Sequence, residues 1–466
     1  MKLLFTEYDQ HANLLIQAAL QAADPALAVQ RYMQRDGRRL KIGHIDFELE
    51  TGRVFVVSVG KAAVPMAKAA VTVLGDALAE GVVLTKKGSR AVSLSNQDSP
   101  LLILVGGHPV SDEDSLEATE AVIEFIAQAT VNDLIIFLIS GGTSALLTQP
   151  LLPLPEWQHL TELLLASGCT IQELNCVRRQ LDQVKGGGLA RMAAPAACVS
   201  LVLSDVVGNS LADIGSGPTV LVDESSADAL RILQRYGVAE RLGSVLWQRL
   251  EQLLQQPALF PTKTVQSEHI VVGDVRAAAT AVFTKASQLG FLAHILTARL
   301  EGEAREVGKF VAAIAKDLLP GHCLILGGET TVTVRGEGRG GRNQEVALAA
   351  AVALQGCCHP VVITLATDGE DGVTGAAGAV ISGETAVLAQ TFGLEPAKFL
   401  DNNDSYSFFK QLDDKILSNS IDQIAEQADE VESVAASPSR PVPHLHLLQT
   451  GPTGTNVNDL IIILTY

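Results

Sequence analysis

The sequence predicts an α/β protein of two domains, and three observations carry that prediction. From Val54 onward, short apolar, β-branched runs alternate with Ala-rich helical stretches. The runs are apolar throughout rather than every second residue, the pattern of strands buried on both faces of a parallel sheet. The alternation occurs in two series, separated by a polar, strand-poor stretch at 221–262, and the 466 residues suffice for about two to four domains.

Taken in order, residues 5–35 read as two helices broken at Pro25, with Leu14, Leu15, Ala18 and Ala19 on an apolar face. The first strand series is 54–59, 81–84, 101–105, 134–139 and 198–203, a Rossmann-like, doubly wound sheet covered by helices. The second series runs from His269 through 291–296, a helix over 301–319, the runs 323–328 and 330–336, a long Ala-rich helix from Asn343, and 361–369. The last strand is 460–464. A boundary near Pro257–Pro261 divides the chain into domains 1–262 and 263–466, the second also α/β. Residues 413–446, acidic and then Ser/Pro-rich, read as a surface insertion.

Composition narrows the function classes. With 47% hydrophobic and 18% charged residues the chain is globular. Its formal charge of −18 argues against a nucleic-acid binder, because an anionic surface repels phosphate chains. No apolar stretch approaches the ~18–20 residues that span a bilayer, and Glu7 and Asp9 interrupt the start too early for a signal-peptide core. The six cysteines form no C-x-x-C pair and sit in apolar runs, which reads as buried, reduced thiols in a cytoplasmic protein.

Four strands run into glycine turns: SVGKAA, ILVGGHP, LISGGTSALL and LILGGETT. In one parallel sheet these would share the carboxyl edge, where open α/β sheets bind ligands. In LISGGTSALL, Ser140, Gly141, Gly142, Thr143 and Ser144 combine close backbone approach with three hydroxyls, a cradle for phosphate or carboxylate. Plain helix capping is the alternative reading of the same residues. Lys61 opens a helix, where its charge opposes the macrodipole. It is therefore either a solvated surface lysine or a group that neutralises a transferring phosphoryl.

Further along, TTVTVRGEGRGGRNQ contains a literal G-x-G-x-x-G at 336, 338 and 341. Arg335, Arg339 and Arg342 crowd that loop and favour an anion clamp over a dinucleotide fingerprint, with Arg342 the best placed. Asp368, Glu370 and Asp371 form an acidic turn that suits Mg²⁺ or is merely solvated. Asp205 ends a strand and could act as a base or hold the metal. His108, Lys185 before three glycines, and the 450–459 loop are further anion-friendly positions. His444 and His446 read as exposed and inert. No Walker A sequence, H-E-x-x-H or zinc spacing occurs.

Together SVGKAA, GGHPVSDEDSLEAT, LISGGTSALL, LNCVRRQLDQVKGGGLA, LSDVVGNSLADIGSGPT, LGGETTVTVRGEGRGGRNQE, ATDGEDG, DNNDSY and TGPTGTNVNDL resemble the class II glycerate kinases, the glycerate 2-kinase (MOFRL) family. The likeness is ordered from about Val54 to the C-terminus. It implies ATP-dependent phosphorylation of D-glycerate at the 2-hydroxyl, an N-terminal Rossmann-like domain, a C-terminal MOFRL domain, and an active site in the cleft between them. Lys61 and Arg342 occupy the positions the family would make essential.

The mechanism expected here makes Asp205 the base, with Ser140–Ser144, His108 and Lys185 holding substrate or phosphate. Gly328, Glu329, Thr330 and Asn343 are expected to hold ATP, and Asp368 or Asp371 Mg²⁺. The partner is a small molecule, with no nucleic acid and no membrane, and the protein is a monomer or homodimer. Asn209, where an acid is expected after LSDVVG, and the length of 413–446 depart from the family pattern. Two readings compete: a nicotinamide-dependent hydroxypyruvate or 2-hydroxyacid oxidoreductase using the 336–341 turn, and a non-catalytic sensor.

Overall fold

The computed structural model describes residues 5–49, 52–88, 100–256, 267–429 and 445–466. It divides into two compact units. One is Pro25–Asp274; the other joins Met1–Asp24 to Val275–Tyr466.

In the first unit, β1 (Met33–Asp36), β2 (Arg39–Ile42) and β3 (Ile45–Glu48) form an antiparallel meander. The main sheet contains β4 (Val54–Val59), β5 (Leu78–Lys86), β6 (Leu101–Gly106), β7 (Leu134–Ile139), β8 (Ala197–Leu203) and β9 (Ser267–Gly273). Every pairing is parallel and the order is β6-β5-β4-β7-β8-β9. Counted from β4, that is the doubly wound order 3-2-1-4-5-6, and the winding reverses between β4 and β7. Both of those strands are buried at all six positions, which is why they read as unbroken apolar runs. Phe55, Val57, Ile135, Phe137 and Ile139 join Val122 and Ile126 of helix Glu113–Ile126 in the core under one face.

The second unit holds a mixed sheet of β10 (Leu292–Leu300), β11 (His322–Gly328), β12 (Pro360–Ala366), β13 (Gly378–Ser382), β14 (Leu447–Leu448) and β15 (Asp459–Thr465). Its order is β10-β11-β15-β12-β13-β14, and only β10 and β11 run parallel. Helix Arg342–Ala353 is buried continuously from Asn343 to Ala351; its alanines let helix Ala304–Asp317 and the sheet approach closely.

Several expectations change. His269 lies in β9, the edge of the first sheet, and helix Phe5–Ala23 packs on helix Val275–Gln288 in the second unit. The division therefore falls after Asp24 and Asp274 rather than near 262; the proposed boundary at 257–261 lies outside the described residues. The run 330–336 is not a strand. Both edges of β11 are already paired, so only Thr331 bridges, to Glu303. The four glycine turns do not share one edge: three leave the first sheet and LILGGETT leaves the second.

Helix Ser405–Asp429 runs through the start of the supposed insertion, and residues 430–444, with His444, lie outside the described residues. His446 is buried, not exposed. Its backbone N–H and ring Nδ1 each lie 2.8 Å from the Asp413 carboxylate, and the ring stacks on Phe409. Cys176, Cys198 and Cys323 are buried, with burial pushing each thiol up to about 12, but Cys358 is exposed. Among the described residues no helix is long and apolar enough to cross a membrane.

Candidate active site

The first group of candidate residues gathers where the winding reverses in the first unit. The turn leaving β7 and the turn leaving β4 are tied together. Lys61 donates its backbone N–H to Gly141 O (2.8 Å), and Ala62 N–H donates to Ser140 Oγ (3.1 Å). Ser140 Oγ donates to Val59 O, and Thr143 Oγ lies 2.7 Å from Ser140 O and 3.1 Å from Val59 O. Ser140 and Thr143 are buried and their hydroxyls are committed to backbone. They shape the cradle rather than donate into it, which corrects the sequence expectation.

What the turn does present is backbone. Gly142 takes φ +88, a region glycine enters without strain. Among the described residues, none accepts from the N–H groups of Gly141, Gly142, Thr143 or Ser144. Successive unspent N–H groups make a concavity suited to anions. Three candidate side chains border it. A Cβ placed on Gly141 would lie 2.0 Å from Asp205 Oδ2. One placed on Gly142 would lie 3.0 Å from His108 Cδ2 and 3.2 Å from Lys61 Cγ. Burial, then the charges of Lys61 and Lys86, pushes His108 down to about 4, so the imidazole is neutral at pH 7.

Lys185 does not join them. It is 2% exposed, and its ammonium lies 2.9 Å from Ser144 O, 2.8 Å from Leu147 O and 3.4 Å from Asp182, so its donors are spent inside the protein. Burial holds its pKa below the usual lysine range. It buttresses the turn from behind, and its expected role as a ligand to phosphate is corrected accordingly.

Sequence reasoning missed a chain of polar groups behind Ser144. Ser144 Oγ meets Ser216 Oγ at 2.9 Å, and Ser216 donates to Asn175 Oδ1. Asn175 donates to Asp213, which also accepts from Arg179. Ser216 sits at φ +62, a strained position for a serine, and is wholly buried. Both motifs supplying this chain were visible as motifs, but nothing in their spacing showed that they meet. Asn209, the departure from the family pattern, donates to Asp274 at 2.5 Å.

The second group surrounds Arg342 in the other unit. Arg342 begins helix Arg342–Ala353. Its Nε and Nη2 donate to the two oxygens of Asp459 at 2.5 and 3.2 Å, and its Nη1 donates to Glu329. Glu329 also accepts from Asn458 Nδ2 (2.8 Å). Burial opposes the Arg342 charge, but Asp459 and Glu329 outweigh it and hold the pKa above the usual arginine range. Burial pushes Asp459 up to about 7 against the pull of Arg342. The Arg342 side chain is 28% exposed, and two of its five N–H donors remain for an anion.

Asp371 is not available as a metal ligand. It is 1% exposed, and its carboxylate accepts from the backbone and side-chain N–H groups of both Asn343 and Gln344, closing the start of helix Arg342–Ala353. Asn343 is spent in the same contacts and does not face a nucleotide. Asp368 is half-buried, and its Oδ1 accepts from Glu370 N–H at 3.0 Å. No cluster of three His, Cys, Asp or Glu suited to a metal occurs among the described residues. Gly328 ends β11, and Thr330 beside it is buried.

The 336–341 glycine loop is also occupied. The N–H groups of Arg335 and Gly336 donate to Asn403 Oδ1, those of Glu337 and Gly338 to Asn402, and that of Arg339 to Asp404. The DNND segment thus takes five consecutive donors that a dinucleotide fingerprint would offer to pyrophosphate. Arg339 lies over the Tyr406 ring at 5.3 Å instead of reaching into a site.

Comparison with known proteins agrees with the motifs. Residues 11–251 match a family profile described as a domain of unknown function, DUF4147, and residues 322–459 match the MOFRL family. A D-glycerate 2-kinase of Thermotoga maritima is 41% identical over 424 residues, covering 89% of this chain and 91% of that protein. A crystal structure of a glycerate kinase from the same organism superposes with a TM-score of 0.81 at 38% identity, covering 99% of this chain and all of the other. An Agrobacterium vitis relative, 36% identical over 97% of this chain and 93% of its own, carries a hydroxypyruvate reductase name. With matches of this extent, the chain belongs to the glycerate kinase family that pairs a DUF4147 domain with a MOFRL domain.

Proposed function

We propose that this chain transfers the γ-phosphoryl group of ATP to the 2-hydroxyl of D-glycerate, giving 2-phospho-D-glycerate and ADP. The observation that carries the reading is the four unspent N–H groups from Gly141 to Ser144, bordered by Lys61, His108 and Asp205 at the point where the sheet reverses. Phosphoryl transfer asks a protein mainly for positioning and for neutralisation of charge. The N–H groups would hold anionic oxygens, and Lys61 would offset charge on the equatorial oxygens in the transition state. Asp205 would accept the proton of the attacking hydroxyl. Neutral His108 would orient substrate by hydrogen bonding without adding charge.

Arg342 has two donors left for substrate or nucleotide oxygens, and Gly328, Glu329 and Thr330 beside it would line the nucleotide. Asp368, with one carboxylate oxygen beyond its turn, is the residue fitted to hold Mg²⁺ together with the phosphates, where the ion would neutralise β- and γ-oxygens. Asp371 does not fit that role.

The test is ³¹P NMR of the protein with D-glycerate, ATP and Mg²⁺. A 2-phosphoglycerate resonance is expected. A 3-phosphoglycerate signal would keep the kinase but overturn the orientation of glycerate, and no transfer would overturn the reading. Nicotinamide-dependent reduction, suggested by the Agrobacterium relative's name, would need the 336–341 loop to release the DNND segment, so the protein is expected to show no saturable binding of NADH.

A further inference from the structure

Arg178 has no assigned role, and its surroundings are unusual for a cation. It is half-buried, and among the described residues it makes no hydrogen bond and no ion pair. Its neighbour Arg179 is the opposite case, with a guanidinium saturated by Glu224, Asp213 and Ala212 O. A long cation taken partly out of water without an acceptor is costly, and burial accordingly pulls the Arg178 pKa down.

Its position relates it to the anion turn. Arg178 lies on helix Ile171–Leu181, three residues after Asn175 and so on the same face, and Asp182 is the extended residue that follows the helix's last turn. Asn175 ends the chain of hydroxyls that reaches Ser144 through Ser216, and Asp182 pairs with Lys185, whose ammonium holds Ser144 O. Both charges, that of Asp182 and that of Lys185, are within electrostatic reach of the Arg178 guanidinium. Arg178 thus neighbours the groups that hold Ser144 in place, with Asn175 and Asp182 committed to structure and Arg178 uncommitted.

Resting on the kinase reading above, we propose that Arg178 is the residue that binds the carboxylate of glycerate. A planar guanidinium with all its donors unspent can take a carboxylate bidentately. It does so from the Ser144 side of the turn, leaving Lys61, at the Gly142 side, for the phosphoryl group. Binding at one end by the fork and reaction at the other would set which hydroxyl faces the phosphate.

The test compares D-glycerate with its amide, D-glyceramide, which keeps the hydroxyls and loses the negative charge. In Arg178→Gln the KM for glycerate is expected to rise about 100-fold while the KM for ATP stays within twofold. The preference of the wild-type protein for glycerate over glyceramide should collapse. Arg178→Lys keeps the charge without the fork and should fall between, and it tests the idea even where the glutamine variant folds poorly. An undiminished preference in both variants, or an equal rise in the ATP KM, would overturn the assignment while leaving the kinase intact. Failure of the wild-type protein to phosphorylate glycerate would overturn the kinase reading, and this one with it.

Discussion

Gly141→Ala tests the geometry of the turn with the addition of a single methyl group. The new Cβ would lie 2.0 Å from Asp205 Oδ2. Ordinary contact begins near 3.4 Å, so the carboxylate or the turn must give by roughly 1.4 Å. Gly141 O anchors Lys61 N–H, so moving the turn disturbs Lys61 as well. A displacement of about 1 Å at reacting groups can cost about 100-fold in rate. Overpacking by one methyl costs about 1–3 kcal/mol of stability, a fall of only a few degrees in Tm for a unit of this size. The expected result is therefore a kcat lowered about 100-fold or more in a folded protein. ADP release would be followed by a coupled assay, with near-UV circular dichroism and Tm as controls. A folded Gly141→Ala variant whose kcat stays within threefold of wild type would refute the argument that this backbone and Asp205 enclose the reacting atoms.

Other expectations follow from the same contacts. Lys61→Ala should lower kcat by about 1,000-fold with Tm nearly unchanged, because the side chain is only half-buried and charge stabilisation in a dry site carries that weight. Arg342→Ala should also abolish turnover, but with about 2 kcal/mol of stability lost, since Asp459 and Glu329 are left without their cation; urea unfolding reads the difference. The pKa of His108 is lower in the folded protein than in the unfolded chain, so the unfolded chain binds the proton first, and stability is lost as pH falls from about 6.5 to about 4. Tm measured at pH 7 and pH 4.5 should drop less in His108→Gln, and the pH–rate profile between 5 and 8 should carry no inflection from this residue. Asp371→Ala should destabilise the protein by about 2–3 kcal/mol without changing the Mg²⁺ concentration for half-maximal activity, whereas Asp368→Ala should raise that concentration; a shift produced by the Asp371 variant would restore it as a ligand.

The strands of the first unit were legible because burial on both faces leaves short, unbroken, β-branched apolar runs such as VFVVSV and LIIFLI. Their order was not legible, because pairing is a property of the whole sheet. The same limit explains β9. HIVVG reads as a strand wherever it pairs, and its partner proved to be β8, about 70 residues earlier, rather than the second series. The turns were found by their glycines, but the direction of their side chains was not. Ser140 and Thr143 have the right chemistry for an anion and the wrong neighbours, since Val59 O and Ala62 N–H claim them first. Lys185, Asp371 and Asn343 failed for the same reason. A polar residue beside a glycine turn is as often needed to build the turn as to work from it.

That division clarifies how the site can be both rigid and reactive. Groups buried behind the turn are fully satisfied: Ser140, Thr143 and Lys185 have partners at 2.7 to 3.3 Å. At its rim, the unspent backbone N–H groups from Gly141 to Ser144 can answer an anion without first breaking a contact. Arg342 works on a different principle. It is already neutralised by Asp459 and Glu329, so any anion it receives enters a site that carries two carboxylates as well as the guanidinium. The carboxylates fix the plane of the fork, while burial pushes the Asp459 pKa up against the pull of Arg342. Neutralising Asp459 as Asp459→Asn should therefore strengthen anion binding at Arg342 while loosening its orientation, lowering the KM for ATP and kcat together. A rise in KM would instead mean that Asp459 is required to keep Arg342 in place before any substrate arrives.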